Sequence, residues 1–306
     1  MKVRVIIASA AFPLLSFSCL GDRCAFAERL DSSFAIESAA SIISPNDLGL
    51  VNGHITLNGR IEDVSLVKGL YAPPYFCNDF VLALLFNGRR VVASGYTWRP
   101  EALVRRGEKD GWRIRTRLVP VAGASAAVLE VSVQNGNRIP ADLSLRYDVA
   151  GTVGRREHWG FGKPVGEQVR RDGNIEIDGG MPARIAVRWS LGAGNESRLQ
   201  NVPPGGRRTF HVALSIGEPD AASRLVRECI GDPQRCIEGS IGEWRGRVRG
   251  LAAKVPDFEC DDPALVQLYR RSLLHLLLTR WDVQSFSLRP YYATGGMNGG
   301  CTCCYL

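Results

Sequence analysis

The sequence lacks the short motifs that mark several large enzyme classes. No glycine-rich loop with a Walker-type lysine occurs, and Gly192-Ala193-Gly194 is followed neither by a third spaced glycine nor by a helix pattern. These absences argue against the common phosphate- and dinucleotide-binding motifs. A Gly-x-Ser-x-Gly nucleophile elbow is also missing. We therefore expect no cofactor.

Histidine is scarce, and its few copies are isolated along the chain. The four histidines, none at metal-ligand spacing from another, are His54, His158, His211 and His275. A lone histidine seldom meets the geometric requirements of a site, so we favour structural roles for all four. His275 lies between leucines and is predicted to be core-facing or hydrogen-bonded.

Two kinds of partner are disfavoured by what the chain has little of. The net charge is +7, but the arginines are scattered along the sequence, whereas nucleic-acid binding calls for a clustered basic face. Beyond residue 27 no apolar run approaches the ~20 residues of a membrane span. We expect neither a nucleic-acid partner nor a transmembrane segment.

Residues 1–27 have the pattern of a secretory signal peptide. Lys2 and Arg4 form a basic start, Val5–Leu20 is mostly apolar, and Ala25-Phe26-Ala27 is a cleavage signal. An alternative is a lipoprotein signal acylated on Cys19, although the leucine expected three places before it is missing. The prediction is an exported, periplasmic or extracellular protein.

Export would make disulfides the default state of the cysteines. Seven follow the signal, an odd number, so at least one thiol is free or paired outside the chain. Cys229 and Cys236 flank a Gly-Asp-Pro turn and could be bridged. The cluster Cys301, Cys303 and Cys304 leaves three alternatives open: disulfides among themselves or with Cys77 and Cys260, plain packing, or a zinc site completed by Cys260. We favour the first two and predict no metal.

Short strands and tight turns dominate residues 28–219. Val128–Val133 and Leu143–Val149 alternate apolar and polar residues, and Val91–Ser94 is rich in β-branched residues. Asn-Gly and Asp-Gly pairs, which suit the positive φ angles of hairpin turns, separate many of these segments. The turn pairs include Asn52-Gly53, Asn58-Gly59, Asn87-Gly88 and Asp110-Gly111. The fold class predicted is mainly β, a large antiparallel sandwich.

Helical patterns replace strands after residue 219. A linker at 220–256 contains helices over Asp220–Ile230 and Cys236–Ala253, the first ending before Gly231. A third helix begins at Asp261 or Asp262, either of which can cap it, with Pro263 in the first turn. Its leucines form so wide an apolar face that we expect burial on most sides, which requires further helices as partners.

An aromatic and glycine-rich loop follows this helix. Flat aromatic rings stack on sugars, while Arg, Asp and Asn side chains hydrogen-bond to hydroxyls, as in ligand pockets that combine apolar surface with a few polar groups. The alternative is an ordinary surface loop with tight turns. The candidate substrate-binding residues are Trp281, Asp282, Arg289, Tyr291, Tyr292 and Asn298.

The order of these parts resembles that of bacterial six-hairpin glycosidases, the (α/α)6-barrel glycoside hydrolases with an N-terminal β-supersandwich. The residues that carry the resemblance are Val131–Asn137, Asp148–Gly151, Trp159, Val202–Phe210 and the stretch Asp262–Leu306. The resemblance implies that residues 257–306 begin an (α/α)6 barrel and leave it incomplete.

That resemblance implies a carbohydrate substrate and catalytic residues that lie in the barrel. Glycoside hydrolysis requires two positioned carboxylates, and Asp282 is the only one in the terminal loop. The catalytic pair is expected on later hairpins, so the catalytic residues are unknown. The chain is predicted to be the front part of an exported glycoside hydrolase, inactive alone, with the missing barrel as its partner. The alternative function is a non-catalytic carbohydrate-binding or structural sandwich.

Overall fold

The computed structural model describes residues 3–6, 16–33, 35–39, 47–157, 160–161, 167–171, 174–179, 182–282, 290–293 and 304–305. The helices are α1 (Ser16–Ser32), α2 (Pro219–Gly231), α3 (Pro233–Ala252) and α4 (Pro263–Leu278). The strands are β1 (Val3–Ile6), β2 (Ile36–Ala39), β3 (Asp47–Val51), β4 (Thr56–Arg60), β5 (Val67–Ala72), β6 (Tyr75–Phe86), β7 (Gly95–Arg99), β8 (Ala102–Lys109), β9 (Trp112–Pro120), β10 (Ala126–Asn135), β11 (Ala141–Ala150), β12 (Gly154–Glu157), β13 (Gly160–Phe161), β14 (Glu167–Arg171), β15 (Asn174–Asp178), β16 (Arg184–Trp189), β17 (Glu196–Val202), β18 (Arg207–Gly217), β19 (Asp257–Cys260), β20 (Arg280–Trp281), β21 (Tyr291–Ala293) and β22 (Cys304–Tyr305).

Two large antiparallel sheets form a sandwich, as predicted. The first sheet has the strand order β14-β15-β16-β18-β10-β9-β8-β7-β2. The second has the order β13-β12-β6-β5-β4-β3, with β11 pairing with both β6 and β17. Leu143, Leu145, Tyr147 and Val149 on β11 are buried while the residues between them are exposed, which confirms the predicted alternation.

Tight turns occur at several of the predicted Asn-Gly and Asp-Gly pairs, although not all of them join paired strands: Asn87-Gly88 follows β6, and the next strand, β7, lies in the other sheet. Asn87 and Gly88 both have positive φ angles, as do Asp110 and Gly111, as two-residue turns of this kind require. Asn58-Gly59 is not a turn, because both residues lie inside β4. A Cβ on Gly59 would stand 2.1 Å from Cδ2 of Leu103 in the opposite sheet. This glycine therefore permits close contact between the two sheets.

The connector helices α2 and α3 cover one end of the first sheet's outer face. Val226 and Cys229 of α2 and Ile237 of α3 join Val128 and Ala213 in a second apolar cluster on that face. Asp232 ends α2 and caps α3, since its carboxylate accepts a hydrogen bond from the Arg235 N–H. The predicted linker helices are confirmed, with the second beginning three residues earlier than expected.

Helix α4 begins where predicted. The Asp262 carboxylate accepts hydrogen bonds from the N–H groups of Ala264 and Leu265. Burial on most sides is not observed in this chain: Leu274 and Leu278 are buried, whereas Leu268 and Leu276 are 61% and 49% exposed. His275 is exposed as well, so its predicted core-facing position is wrong. None of the described helices is long and apolar enough to span a bilayer.

The N-terminal segments pack against the C-terminal ones. Phe26, Ala27 and Leu30 of α1 are buried in the main core together with side chains from α3 and α4. Strand β1 pairs antiparallel with β19. The helix is fixed further by Asp31, whose carboxylate accepts a hydrogen bond from Nε1 of Trp244 at 2.9 Å.

Two of the segments that carry the family resemblance meet inside the sandwich. Asn135 at the end of β10 is fully buried, and its Nδ2 donates to the carbonyls of Val202 at 2.8 Å and Ile139 at 2.9 Å. Its Oδ1 accepts from the backbone N–H of Asn137 at 2.9 Å and from Asn137 Nδ2 at 3.0 Å. The Gly205 N–H donates to the Asn135 carbonyl at 2.7 Å. These motif residues are therefore structural, because they join β10 to the β17–β18 turn.

Candidate functional site

The described part of the terminal segment forms a small sheet of three strands. Trp281 lies opposite Tyr291, and Arg280 lies opposite Tyr292. Strand β21 pairs in turn with β22, where Tyr305 stands opposite Tyr292. The structure thus places three of the six predicted sugar-binding residues, Trp281, Tyr291 and Tyr292, in neighbouring strands, and a fourth, Asp282, directly after β20. The other two, Arg289 and Asn298, lie outside the described residues.

Trp281 anchors this sheet to the sandwich. Its ring is 1% exposed and meets Tyr71 of β5 edge to face, with ring centres 5.9 Å apart and planes at 78°. Such aromatic pairs add ~0.5–1.5 kcal/mol beyond the area they bury. A ring this deeply buried cannot stack on a sugar, so we assign Trp281 an anchoring role. Tyr292, by contrast, is 51% exposed.

Asp282 is fixed through its backbone to the hairpin between β3 and β4. Its N–H donates to the Gly53 carbonyl at 3.0 Å. Gly53 has a φ of +89°, and a Cβ there would stand 3.0 Å from the Arg280 carbonyl. A side chain at this position would be strained by its backbone conformation and would also crowd the terminal segment. Glycine is thus required where the two segments touch.

The hairpin itself is held by the side chain of Asn52. Its Oδ1 accepts hydrogen bonds from the N–H groups of His54 at 2.8 Å and Ile55 at 2.9 Å. Its Nδ2 donates to the Ala124 carbonyl at 3.0 Å. Arg247 of α3 donates to the Asn52 carbonyl at 3.1 Å and forms an ion pair with Glu243. The first sheet and the connector therefore both position this turn.

These contacts gather a polar cluster beneath the terminal segment: His54, Glu243, Arg247 and Asp282. Burial lowers the pKa of His54, and Arg247 acts in the same direction, while Asp282 and Glu243 oppose the shift. The imidazole is therefore neutral at physiological pH and can both donate and accept a hydrogen bond. Sequence reasoning treated His54 as isolated, because its partners lie some 190 or more positions away.

The cavity beside this cluster is too small for a sugar. It measures about 20 Å³ and lies between Asn52, Ser240, Trp244 and Arg247, so it has room for about one water molecule. A shallow depression of about 460 Å³ lies elsewhere, on the second sheet, beside Ser144, Arg146 and Arg198. Neither of these two cavities is therefore a sugar-sized enclosure at the terminal segment.

Five cysteines are free thiols: Cys24, Cys77, Cys229, Cys236 and Cys260. Cys77 is buried, its thiol donates to Asp79 Oδ1 at 3.3 Å, and burial together with that carboxylate raises its pKa. Cys260 donates to the Asp262 carbonyl at 3.3 Å. Cys229 and Cys236 are neighbours but are both free, so the bridge that the sequence allows is not formed in this structure.

The fate of the terminal cysteine cluster stays a prediction. Cys301 and Cys303 lie outside the described residues, and for Cys304 the description covers the backbone. Within the described part of the chain, no three His, Cys, Asp or Glu side chains are grouped as a metal site would need. The choice between disulfides, plain packing and zinc therefore rests on the sequence argument.

Comparison of the fold with solved structures gives clear similarities. A putative kojibiose phosphorylase from the human microbiome matches 82% of this chain with a TM-score of 0.56 and 10% sequence identity. The fold is that of the N-terminal part of six-hairpin glycosidases. A bacterial glucoamylase complexed with acarbose matches 80% of the chain with a TM-score of 0.45 and 12% identity.

The chain spans 42% of the length of the phosphorylase and 44% of that of the glucoamylase. No protein-family model matches the sequence, and no curated protein matches it. The resemblance predicted from the order of parts is thus confirmed at the level of fold, because the 10% identity to the phosphorylase shows the fold alone.

Proposed function

We propose that this chain is the N-terminal portion of an exported glycoside hydrolase that acts on an oligo- or polysaccharide. The observation that carries the proposal is the shared fold over 82% of the chain with a protein named as a phosphorylase of the disaccharide kojibiose. Since glycoside hydrolysis needs two carboxylates and Asp282 is the only one among the predicted site residues, we place the catalytic pair in a barrel outside these 306 residues. The chain alone is then inactive.

In this proposal the terminal segment forms one edge of the sugar site. Trp281 and the Asp282–Gly53 hydrogen bond fix the segment on the sandwich. The half-exposed Tyr292 lies in the neighbouring strand of the small sheet. An exposed tyrosine combines a flat apolar ring with a hydroxyl, which suits a sugar face. Tyr291, Arg289 and Asn298 complete the proposed contacts, and Asp282 orients a hydroxyl.

The test joins the chain to the coding sequence that follows residue 306 and assays oligosaccharide cleavage with and without inorganic phosphate. Hydrolysis supports the proposal, and strictly phosphate-dependent cleavage would place the protein with phosphorylases instead. Within an active protein, Tyr292→Leu should lower kcat/KM by roughly tenfold, on the expectation that a sugar face stacks on the ring with an energy at the lower end of the ~1–3 kcal/mol known for nucleic-acid bases. Tyr292→Phe keeps the ring and serves as the matched control.

Unchanged kcat/KM in Tyr292→Leu, Tyr291→Ala and Asn298→Ala would refute the subsite while leaving the enzyme class intact. A stop codon directly after residue 306, with no cleavage by the chain, would favour the alternative function of a non-catalytic carbohydrate-binding or structural sandwich. That alternative draws on the two large antiparallel sheets, which make up most of the described fold. Calorimetric titration of the chain with a glycan panel separates binding from a purely structural role.

Export is proposed on the sequence pattern of residues 1–27. In the folded chain Phe26 and Ala27 are buried within α1, so a signal peptidase could reach the Ala27–Glu28 bond only before folding is complete. N-terminal sequencing of protein recovered from the periplasm or medium should begin at Glu28. Recovery from the cytoplasm with Met1 intact would refute export.

A further inference from the structure

Five arginines that are scattered in sequence converge on the outer face of the first sheet. Alternate residues of a strand point to the same side, and register then sets their neighbours across strands. Along one row Arg106 of β8 lies opposite Arg115 of β9. In the next row Gln134 of β10 lies between Arg113 and Arg207. Arg117 occupies the row nearer the connector helices. We call Arg106, Arg113, Arg115, Arg117 and Arg207 the arginine face.

The arginine face is open to solvent. Arg113 and Arg115 have 68% and 47% of their side-chain surface exposed, and Arg106 and Arg207 are also exposed. The connector hairpin covers the neighbouring row, which contains Val128 and Ala213, and stops there. The scatter of arginines in the sequence therefore did not predict their distribution on the surface. The β register gathers them from three hairpin-connected strands and from a fourth strand that is distant in sequence.

The face carries more positive charge than its own carboxylates neutralise. It contains two acidic residues, Glu108 and Glu130, against five arginines. Glu130 is engaged by Arg117 at 2.9 Å, and it has Arg115 at 3.7 Å. Glu108 lies 4.0 Å from Arg113, with both side chains exposed, so this pair is weak. No carboxylate of the described residues forms an ion pair with Arg106 or Arg207.

Direct opposition of like charges across a strand pair is destabilising, and Arg106 opposite Arg115 is such a pair. Burial lowers the pKa of Arg115, and Arg117, Arg106 and Arg207 lower it further, while Glu130 opposes them. An anion bound between these guanidinium groups would relieve that repulsion. Guanidinium groups bind carboxylate and sulfate groups through two parallel hydrogen bonds, which lysine cannot do.

We propose that the arginine face binds an acidic polysaccharide, a polymer bearing uronate carboxylates or sulfate groups. The polar non-arginine residues of these rows on β8, β9, β10 and β18 are Ser132, Thr209, Gln134, His211 and the two glutamates, so hydrogen-bond donors and acceptors for sugar hydroxyls accompany the charge. The described rows present no aromatic ring on which nucleic-acid bases could stack. The choice of a polysaccharide among polyanions rests on the proposed function, but the site is separate from the terminal segment.

The test measures binding of the full chain to polygalacturonate, dextran sulfate, neutral dextran and single-stranded DNA at two salt concentrations. The test variant carries Arg113→Gln, Arg115→Gln and Arg207→Gln. The matched control carries Arg227→Gln, Arg245→Gln and Arg249→Gln, which removes three charges from exposed positions on α2 and α3. Circular dichroism and thermal melting check that both variants keep the fold.

The acidic polysaccharides should bind and the neutral dextran should not, with affinity falling as salt screens the charges. The arginine-face variant should bind roughly tenfold more weakly, as the loss of three exposed ion pairs of ~0.2–1 kcal/mol each implies. The control should change by less than about twofold. Equal losses in the two variants, or equal affinity for DNA and polysaccharide, would overturn the proposal. Neither result bears on cleavage by the barrel-joined protein, so the two proposals fail separately.

Discussion

Replacement of the buried Asn135 should be among the most damaging single changes in the sandwich. Its amide makes four hydrogen bonds, to two carbonyls and to both nitrogens of Asn137, and the side chain is fully buried. In Asn135→Ala the carbonyls of Val202 and Ile139 and the N–H of Asn137 all lose a partner. A buried polar group left unsatisfied costs ~1–3 kcal/mol, and partial relaxation lowers the total, so we expect a loss of about 3 kcal/mol.

Urea unfolding followed by the fluorescence of the buried tryptophans Trp112 and Trp189 measures this loss. For a domain of about 200 residues it corresponds to a fall in Tm of roughly 6–12 °C. Gln134→Ala is the matched control, because Gln134 neighbours Asn135, is not fully buried and donates a side-chain hydrogen bond to the Gly205 carbonyl at 3.0 Å. A loss in Asn135→Ala no larger than in Gln134→Ala would refute the structural role given to this motif.

Three further predictions concern other parts of the chain. Gly53→Ala should raise the rate of limited proteolysis in the terminal segment more than Gly194→Ala does. Both glycines have a φ of +89°, but only Gly53 lies against the Arg280 carbonyl, so equal rates would contradict this. Oxidation by a disulfide reagent should join Cys229 and Cys236, removing two hydrogen atoms and adding ~2–3 kcal/mol of stability, whereas both thiols remaining reactive would contradict the contact between them. His211 and then Arg117 hold the pKa of Glu130 at about 2, below its ordinary 4.5, so its stabilising effect is complete above about pH 4.5 and lost as pH falls to about 2. Glu130→Gln should therefore lower the unfolding free energy at pH 7 by about 1–2 kcal/mol and have little effect at pH 2, and a pH-independent difference would contradict the shift.

Much of the sandwich could be predicted because its strands carry local signals. Strand β11 is half buried, and so its sequence alternates along one face. Strand β17 was missed because it pairs with β11 alone and is mostly exposed, which leaves few apolar residues to detect. Val91–Ser94 was wrongly predicted as a strand. Val91 is buried, and its carbonyl accepts a hydrogen bond from the Val64 N–H. An irregular loop can therefore bury β-branched residues and pair their backbone groups without forming a strand.

The candidate site at the terminal segment was predicted only in part, because its residues are close in sequence whereas the residues that support them are not. Trp281 and Tyr292 are close in sequence, and a cluster of aromatic residues beside a helix end is a pattern that the sequence alone reveals. Their supports Tyr71, Gly53 and Arg247 come from a strand, a turn and a connector helix, and no local pattern relates them. The arginine face was missed because it exists only through the register of three consecutive strands, β8 to β10, and their pairing with β18, which is distant in the sequence.

The packing of α1 against α3 and α4 has a consequence for the order of events during synthesis. A ribosome delivers residues 16–32 first, but their buried partners Trp244, Leu274 and Leu278 emerge more than 200 residues later. The sandwich between them can fold in the meantime, since domains fold as units as they are made. The first segment therefore remains accessible throughout most of translation. A targeting receptor would have that interval in which to bind it.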